Sequence, residues 1–129
     1  MGDRTQGLKI FQKSMDLAVW LLGHTAKYPK SCRFSVAVRT ENAILDIVEL
    51  ITVANYRADR LPVLAQVDER LNSLRVLLRL SYQLRLIAMN SYEYGAREID
   101  EIGKLLGGWI RQQKSAAGKR EPAATAPTA

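Results

Sequence analysis

The sequence predicts an all-α protein, an antiparallel up-down-up-down four-helix bundle, on three observations. Apolar residues recur at the spacing of an amphipathic helix through almost all of the 129 residues. No stretch alternates apolar and polar residues between turn signals, as a strand would. The helical stretches each run to roughly twenty residues with short connections, which makes sequence neighbours antiparallel.

The first helix is expected over 8–28, with Ile10, Met15, Leu17, Leu21 and Leu22 among its apolar positions. Pro29 stops it, because a proline disfavours helical geometry in the residue before it. The second is expected over 33–56 and carries Val38, Ile44, Leu45, Val48 and Ile51. The connection RADRLP ends at Pro62, which suits the first turn of a third helix over 61–89. Ser91 caps a fourth over 91–115, with Glu93, Glu98, Asp100 and Glu101 in its early turns, where the helix dipole favours acids. Gly107 and Gly108 weaken that helix and are expected to permit close packing or a bend. One domain thus covers 1–115. The remainder, 116–129, is basic and then rich in Ala, Pro and Thr, and is expected to be a disordered tail.

The third helix has more apolar surface than a bundle needs. At about 100° per residue, Leu64, Val67, Leu71, Leu74 and Leu78 form a core stripe. Val76, Leu77, Leu80, Leu84 and Ile87 form another set to one side of it, which predicts a subunit interface and hence an oligomer. Arg75 and Arg79 project about 40° apart in the gap between the stripes, along with Asp68, Asn72 and Tyr82. They are expected to contact a ligand, and a symmetric oligomer would repeat them as a basic ring. Arg85 falls near the core stripe and is expected to snorkel or to meet a buried carboxylate.

A net charge of +6 and a pI of about 9.7 favour an anionic partner. The stretch WIRQQKSAAGKR, residues 109–120, holds Arg111, Lys114, Lys119 and Arg120 and no acid. The helix dipole accounts for Arg111 and Lys114, whereas Lys119 and Arg120 lie beyond the predicted helix in a segment suited to tracking phosphates. With Arg75 and Arg79, these four complete the candidate nucleic-acid contacts.

No catalytic constellation is visible. His24 is the single histidine, no serine lies in a GxSxG elbow, and the paired Glu-x-x-His motifs of a di-metal bundle do not occur. Cys32 is the single cysteine, which precludes an internal disulfide or a CxxC metal site. Asp46 and Glu49 share a helix face and are expected to meet arginines of a neighbouring helix. The expectation is a protein without enzymatic activity, cofactor or metal. With no signal peptide or membrane span in view, the expected location is the cytoplasm.

Three segments carry a family resemblance. YPKSCRFSVAVRTENAILDIVELI, residues 28–51, resembles the first loop and second helix of the small bundle proteins encoded in 23S rRNA intervening sequences. LNSLRVLLRL and LLGGWIRQQKSAAGKR resemble one branch of that superfamily, the accessory variability determinant (Avd) proteins of diversity-generating retroelements. The resemblance covers most of residues 8–120, and LGGWI followed by a basic stretch is its most specific part. It implies a four-helix bundle that assembles as a basic, barrel-shaped homopentamer. It also implies association with the retroelement reverse transcriptase and its template-repeat RNA, with DNA as a further nucleic-acid candidate, in support of mutagenic reverse transcription and retrohoming. The basic surface of the family corresponds here to Arg75, Arg79, Arg111 and Lys114. The alternative, from the wider superfamily, is an oligomeric scaffold that docks an acidic protein partner.

Overall fold

The computed structural model describes the backbone of residues 2–125 and the side chains of residues 5–118. Among the described residues there are four α-helices and no strand: α1 (Gly2–Thr25), α2 (Val38–Tyr56), α3 (Leu61–Gln83) and α4 (Met89–Thr125). A 3-10 turn, Lys30–Cys32, and a π turn, Arg33–Ala37, lead into α2. Helix α1 packs on α2 and α4, and α3 packs on the same two, so the chain runs around a square bundle. Helix α4 extends to Thr125, past the end at 115 that the sequence predicts. The side chains of Lys119 and Arg120 lie outside the described residues, as do residues 126–129 of the expected tail.

Each helix buries one stripe at three- and four-residue spacing. Ile10, Leu17 and Leu21 of α1 meet Ile44, Ile47 and Ile51 of α2, Leu64, Leu71, Leu74 and Leu78 of α3, and Ile99, Ile102 and Trp109 of α4. At the α2–α3 end, the Arg60 guanidinium lies 5.9 Å from the centre of the Trp109 ring, and its Nε–H donates to the Ala54 carbonyl at 2.7 Å. That carbonyl, in the last turn of α2, otherwise accepts only the Arg57 N–H at 3.4 Å among the described residues, so one arginine supports both the helix end and the core. The α1–α2 contact requires glycine at position 7. A Cβ there would meet Asn55 Oδ1 at 1.8 Å, and Asn55 Nδ2–H donates to the Gly7 carbonyl at 3.2 Å.

Helix α3 ends at Gln83, six residues before the predicted end. The Leu86 N–H donates to the Ser81 carbonyl at 2.8 Å and the Arg85 N–H to the Tyr82 carbonyl at 2.9 Å. Arg85 has φ of 62°. This is a Schellman ending with arginine in the left-handed position usually taken by glycine. Two sequence expectations are corrected by it. Arg85 is exposed on the α3–α4 connection rather than near the core stripe, and among the described residues no buried carboxylate receives it. Ile87 is 8 % exposed and belongs to the core cluster, so it is not available to a partner subunit.

Lys13 of α1 binds Glu98 at 3.4 Å and Glu101 of α4. The hydrogen bond to Glu101, with the charge of Glu98, holds the Lys13 ammonium above its usual 10.5, and the same bond holds the Glu101 carboxyl below its usual 4.5. Lys13 therefore adds stability that is full below its unfolded value and is lost as pH rises through the folded one. Glu101 adds stability above its unfolded value that is lost as pH falls through the folded one. Lys13→Met should flatten the pH dependence of the melting temperature at both ends, by a small amount because the pair is largely exposed. Thermal melts below about pH 4.5 and above about pH 10.5 check this. Among the described residues, no helix is long and apolar enough to cross a membrane.

Candidate nucleic-acid interface

The outer side of the α3–α4 pair is built by two helical repeats. On α3, Arg75 reaches across to α4, its Nε–H donating to the Asp100 carboxylate at 3.4 Å while Nη1 donates to Asn72 Oδ1 at 2.7 Å. The guanidinium lies over Gly103, where a Cβ would stand 2.8 Å from Nη2. Arg79, one turn on, is exposed and forms no ion pair among the described residues. On α4, Arg97, Lys104 and Arg111 are spaced from Asp100 by three, four and eleven residues, which places all of them on the side that faces Arg75. Arg111 is about 16 Å along the helix from Asp100, and Lys114 continues the line one turn later. Arg97, Lys104, Arg111 and Lys114 are all exposed.

The acids of α4 are sorted around the helix as well as along it. Glu98 and Glu101 reach toward α1, where Lys13 binds them, and Glu101 also stands beside Arg97 and Lys104, whose charges help hold its carboxyl low. Asp100 is occupied by Arg75 and Glu101 by Lys13, which leaves Glu93 and, on α3, Asp68 as the remaining exposed acids of this side. Cations therefore outnumber acids along a strip that runs nearly five turns of α4, from Arg97 to Lys114. Between the helices a depression of about 320 Å³ is lined by Arg75, Arg79, Tyr92, Ala96 and Asp100. Tyr92 stacks on Tyr82 with ring centres 5.0 Å apart.

The residues considered for chemistry are accounted for by packing. The His24 ring lies 4.2 Å from Trp20, with Nδ1 3.1 Å from the Trp20 carbonyl and Nε2 3.4 Å from the Ser91 hydroxyl, and so ties α1 to α4. Asp46 pairs with Arg70 of α3 at 3.2 Å, as its spacing predicts, while Glu49 is exposed. Trp109 is fully buried, which removes it as a surface for base stacking. Among the described residues, no group of three or more His, Cys, Asp or Glu side chains is placed to hold a metal ion.

A model of the bAvd-like family matches residues 8–113, which covers α2 and α3, most of α1 and α4, and Arg75, Arg79 and Arg111. The chain belongs to the bAvd-like family. No curated protein matches it. An accessory, non-catalytic kind of protein is what this family comprises.

The bAvd-like chain also exposes apolar surface, in two places. Val76 (67 %), Leu80 (38 %) and Leu84 (49 %) are exposed at α3 and its end, and Leu77 is half-buried beside them. These are four of the five residues predicted as an interface, and they stand at the surface of the protomer. A larger apolar face lies across α1 and α2, with Leu8, Met15 and Val19 exposed beside Leu45 and Tyr56. Phe11 and Leu22 are half-buried among them. In the sequence, Met15, Leu22 and Leu45 count among the apolar positions of their helices without being separated from the core stripe. The heptad spacing of Leu8, Met15 and Leu22, offset from the Ile10–Leu17–Leu21 stripe, is the signal that separates them. The basic residues not singled out from sequence, Arg97 and Lys104, carry the same kind of signal relative to Arg111.

Proposed function

We propose that this protein is the non-catalytic accessory subunit of a diversity-generating retroelement, binding template RNA and the reverse transcriptase in support of mutagenic reverse transcription and retrohoming. The observation that carries this reading, beside membership of the bAvd-like family, is the α3–α4 strip. Its cations outnumber its acids, and three of the neighbouring acids are already engaged, Glu98 and Glu101 by Lys13 and Asp100 by Arg75. Binding through such a strip is dominated by phosphates, so it falls steeply with salt and discriminates little between sequences. DNA is held by the same contacts. With the two apolar faces on different sides of the bundle, we assign a head-to-tail contact between protomers, closed into a ring. A homopentameric barrel in the cytoplasm is the form we assign, and it repeats the strip around its circumference.

The second reading, an oligomeric scaffold that docks an acidic protein, is favoured by the Arg75–Asp100 pair, which places a carboxylate in the middle of the strip. RNA and DNA binding across a salt series, on protein whose mass is fixed by light scattering, separates the two. Arg79→Glu with Arg111→Glu should weaken RNA binding at least tenfold. The slope of log K against log salt should fall by about 0.7 to 0.9 for each phosphate that is no longer neutralised. Arg75→Gln should do less, since Asp100 already takes much of its charge. A well-assembled oligomer that binds neither nucleic acid near physiological salt decides for the scaffold.

A further inference from the structure

A second basic surface lies at the end of the bundle that carries the α1–α2 and α3–α4 connections, away from the α3–α4 strip. Lys27, Lys30 and Arg33 are all exposed there, and no acid occurs between Ala26 and Thr40. The next one, Glu41, accepts a hydrogen bond from the Thr25 hydroxyl at 2.6 Å and is half-buried. Arg85 stands exposed on the neighbouring connection, one turn past Ser81, whose hydroxyl faces the buried Tyr28. Amid these cations Phe34 is 86 % exposed.

Phe34 is held outward by its backbone. The Cys32 N–H donates to the Pro29 carbonyl at 2.9 Å, and the Thr40 hydroxyl donates to the Val36 carbonyl at 2.7 Å. Within the π turn, Val36 and Ala37 turn into the core while Phe34 faces water. π geometry is rare and recurs at functional sites. An exposed aromatic ring on a connection whose exposed charges are all cations has the two parts of a single-strand binding site, a stacking face for a base and cations for the flanking phosphates. A protein partner is a poorer fit, because a buried anchor needs apolar neighbours and Phe34 has exposed Arg33 and Ser35 on either side. Arg85 supports the same conclusion. Its left-handed backbone would be less strained as glycine, so what this position supplies is its side chain.

We propose that Phe34 is a stacking platform for an unpaired base of RNA or single-stranded DNA, with Lys27, Lys30, Arg33 and Arg85 on the adjacent phosphates. This rests on the reading that the protein binds nucleic acid, and it adds a preference for unpaired segments that the α3–α4 strip does not supply. The test uses the full chain, a short single-stranded RNA carrying 2-aminopurine, and a duplex of the same length. Phe34→Ala should weaken single-strand binding about 5- to 100-fold, abolish the 2-aminopurine quench and leave duplex affinity within about twofold, and Phe34→Trp should restore both losses. The ring makes no core contact, so truncation leaves the fold intact, which circular dichroism verifies. Unchanged single-strand affinity and quench in Phe34→Ala, with binding still lost in Arg79→Glu, overturns the stacking site and leaves the broader reading in place. A change of assembled mass in Phe34→Ala overturns it in favour of a subunit contact. A wild-type protein that binds neither probe overturns both.

Discussion

Trp109→Ala should cost the fold about 3–5 kcal/mol, the expected loss for deleting a fully buried large aromatic. That is a large share of the roughly 5–15 kcal/mol that holds a domain together. Trp109 is among the largest fully buried side chains and fills the end of the bundle where α1, α4 and the α2–α3 connection meet. Its ring edge lies 3.1 Å from where a Cβ on Gly7 would be, and Arg60 covers its face. Neither neighbour can collapse into the space left behind, since Gly7 has no side chain and Arg60 is tied to the Ala54 carbonyl. Urea unfolding should show a lower midpoint with an unchanged slope, and Trp109→Phe should recover much of the loss. Any loss of RNA binding in Trp109→Ala should follow the unfolded fraction and be absent at low temperature, where the variant is still folded. A folded Trp109→Ala protein that has lost RNA binding would instead make the indole a ligand contact, against its complete burial.

The number and order of the helices are legible in the sequence because every helix keeps one uninterrupted apolar stripe and prolines stand at two of the turns. The end of α3 is not. QLRLIA continues both the apolar content and the helical spacing of the preceding turns, and the stop is a backbone event, the left-handed Arg85, with no glycine or proline to mark it. Projecting Arg85 and Ile87 on the helical wheel past that point gives both the wrong surroundings. Among the candidate contacts, the wheel correctly sets Arg75 and Arg79 on one edge. It has no means of showing that Asp100, twenty-five residues away, binds one and leaves the other free. Along the chain the charge of α4 reads as acidic then basic, whereas the assignment of Glu98 and Glu101 to Lys13 depends on which helix stands on which side. Phe34 is legible only as a letter. Its exposure follows from the π turn, and the spacing of apolar residues carries no signature of that.

Replacing Val76 and Leu80 by aspartate should reduce the proposed ring to single chains of 14.5 kDa, as measured by light scattering. Both side chains are exposed in the protomer, so the fold does not depend on them, but burying a carboxylate against an apolar partner costs several kcal/mol per site in every contact of a ring. Met15→Asp with Val19→Asp should have the same effect from the other apolar face. The informative experiment is to mix the two variants. In a head-to-tail contact each variant retains one sound face, the α1–α2 surface in the first and the α3 stripe in the second. One interface can then re-form, and a dimer of twice the chain mass should appear and grow no further. A contact in which each face meets its own copy gives a different result, because each variant would still self-associate through its intact face. RNA affinity should fall together with assembly, since a ring presents its basic strip several times to one strand and a single chain presents it once, a difference on the order of 10²–10⁴ in avidity. Dimers from the mixture, carrying two strips, should recover part of that loss, which ties the apolar faces to the function of the basic one.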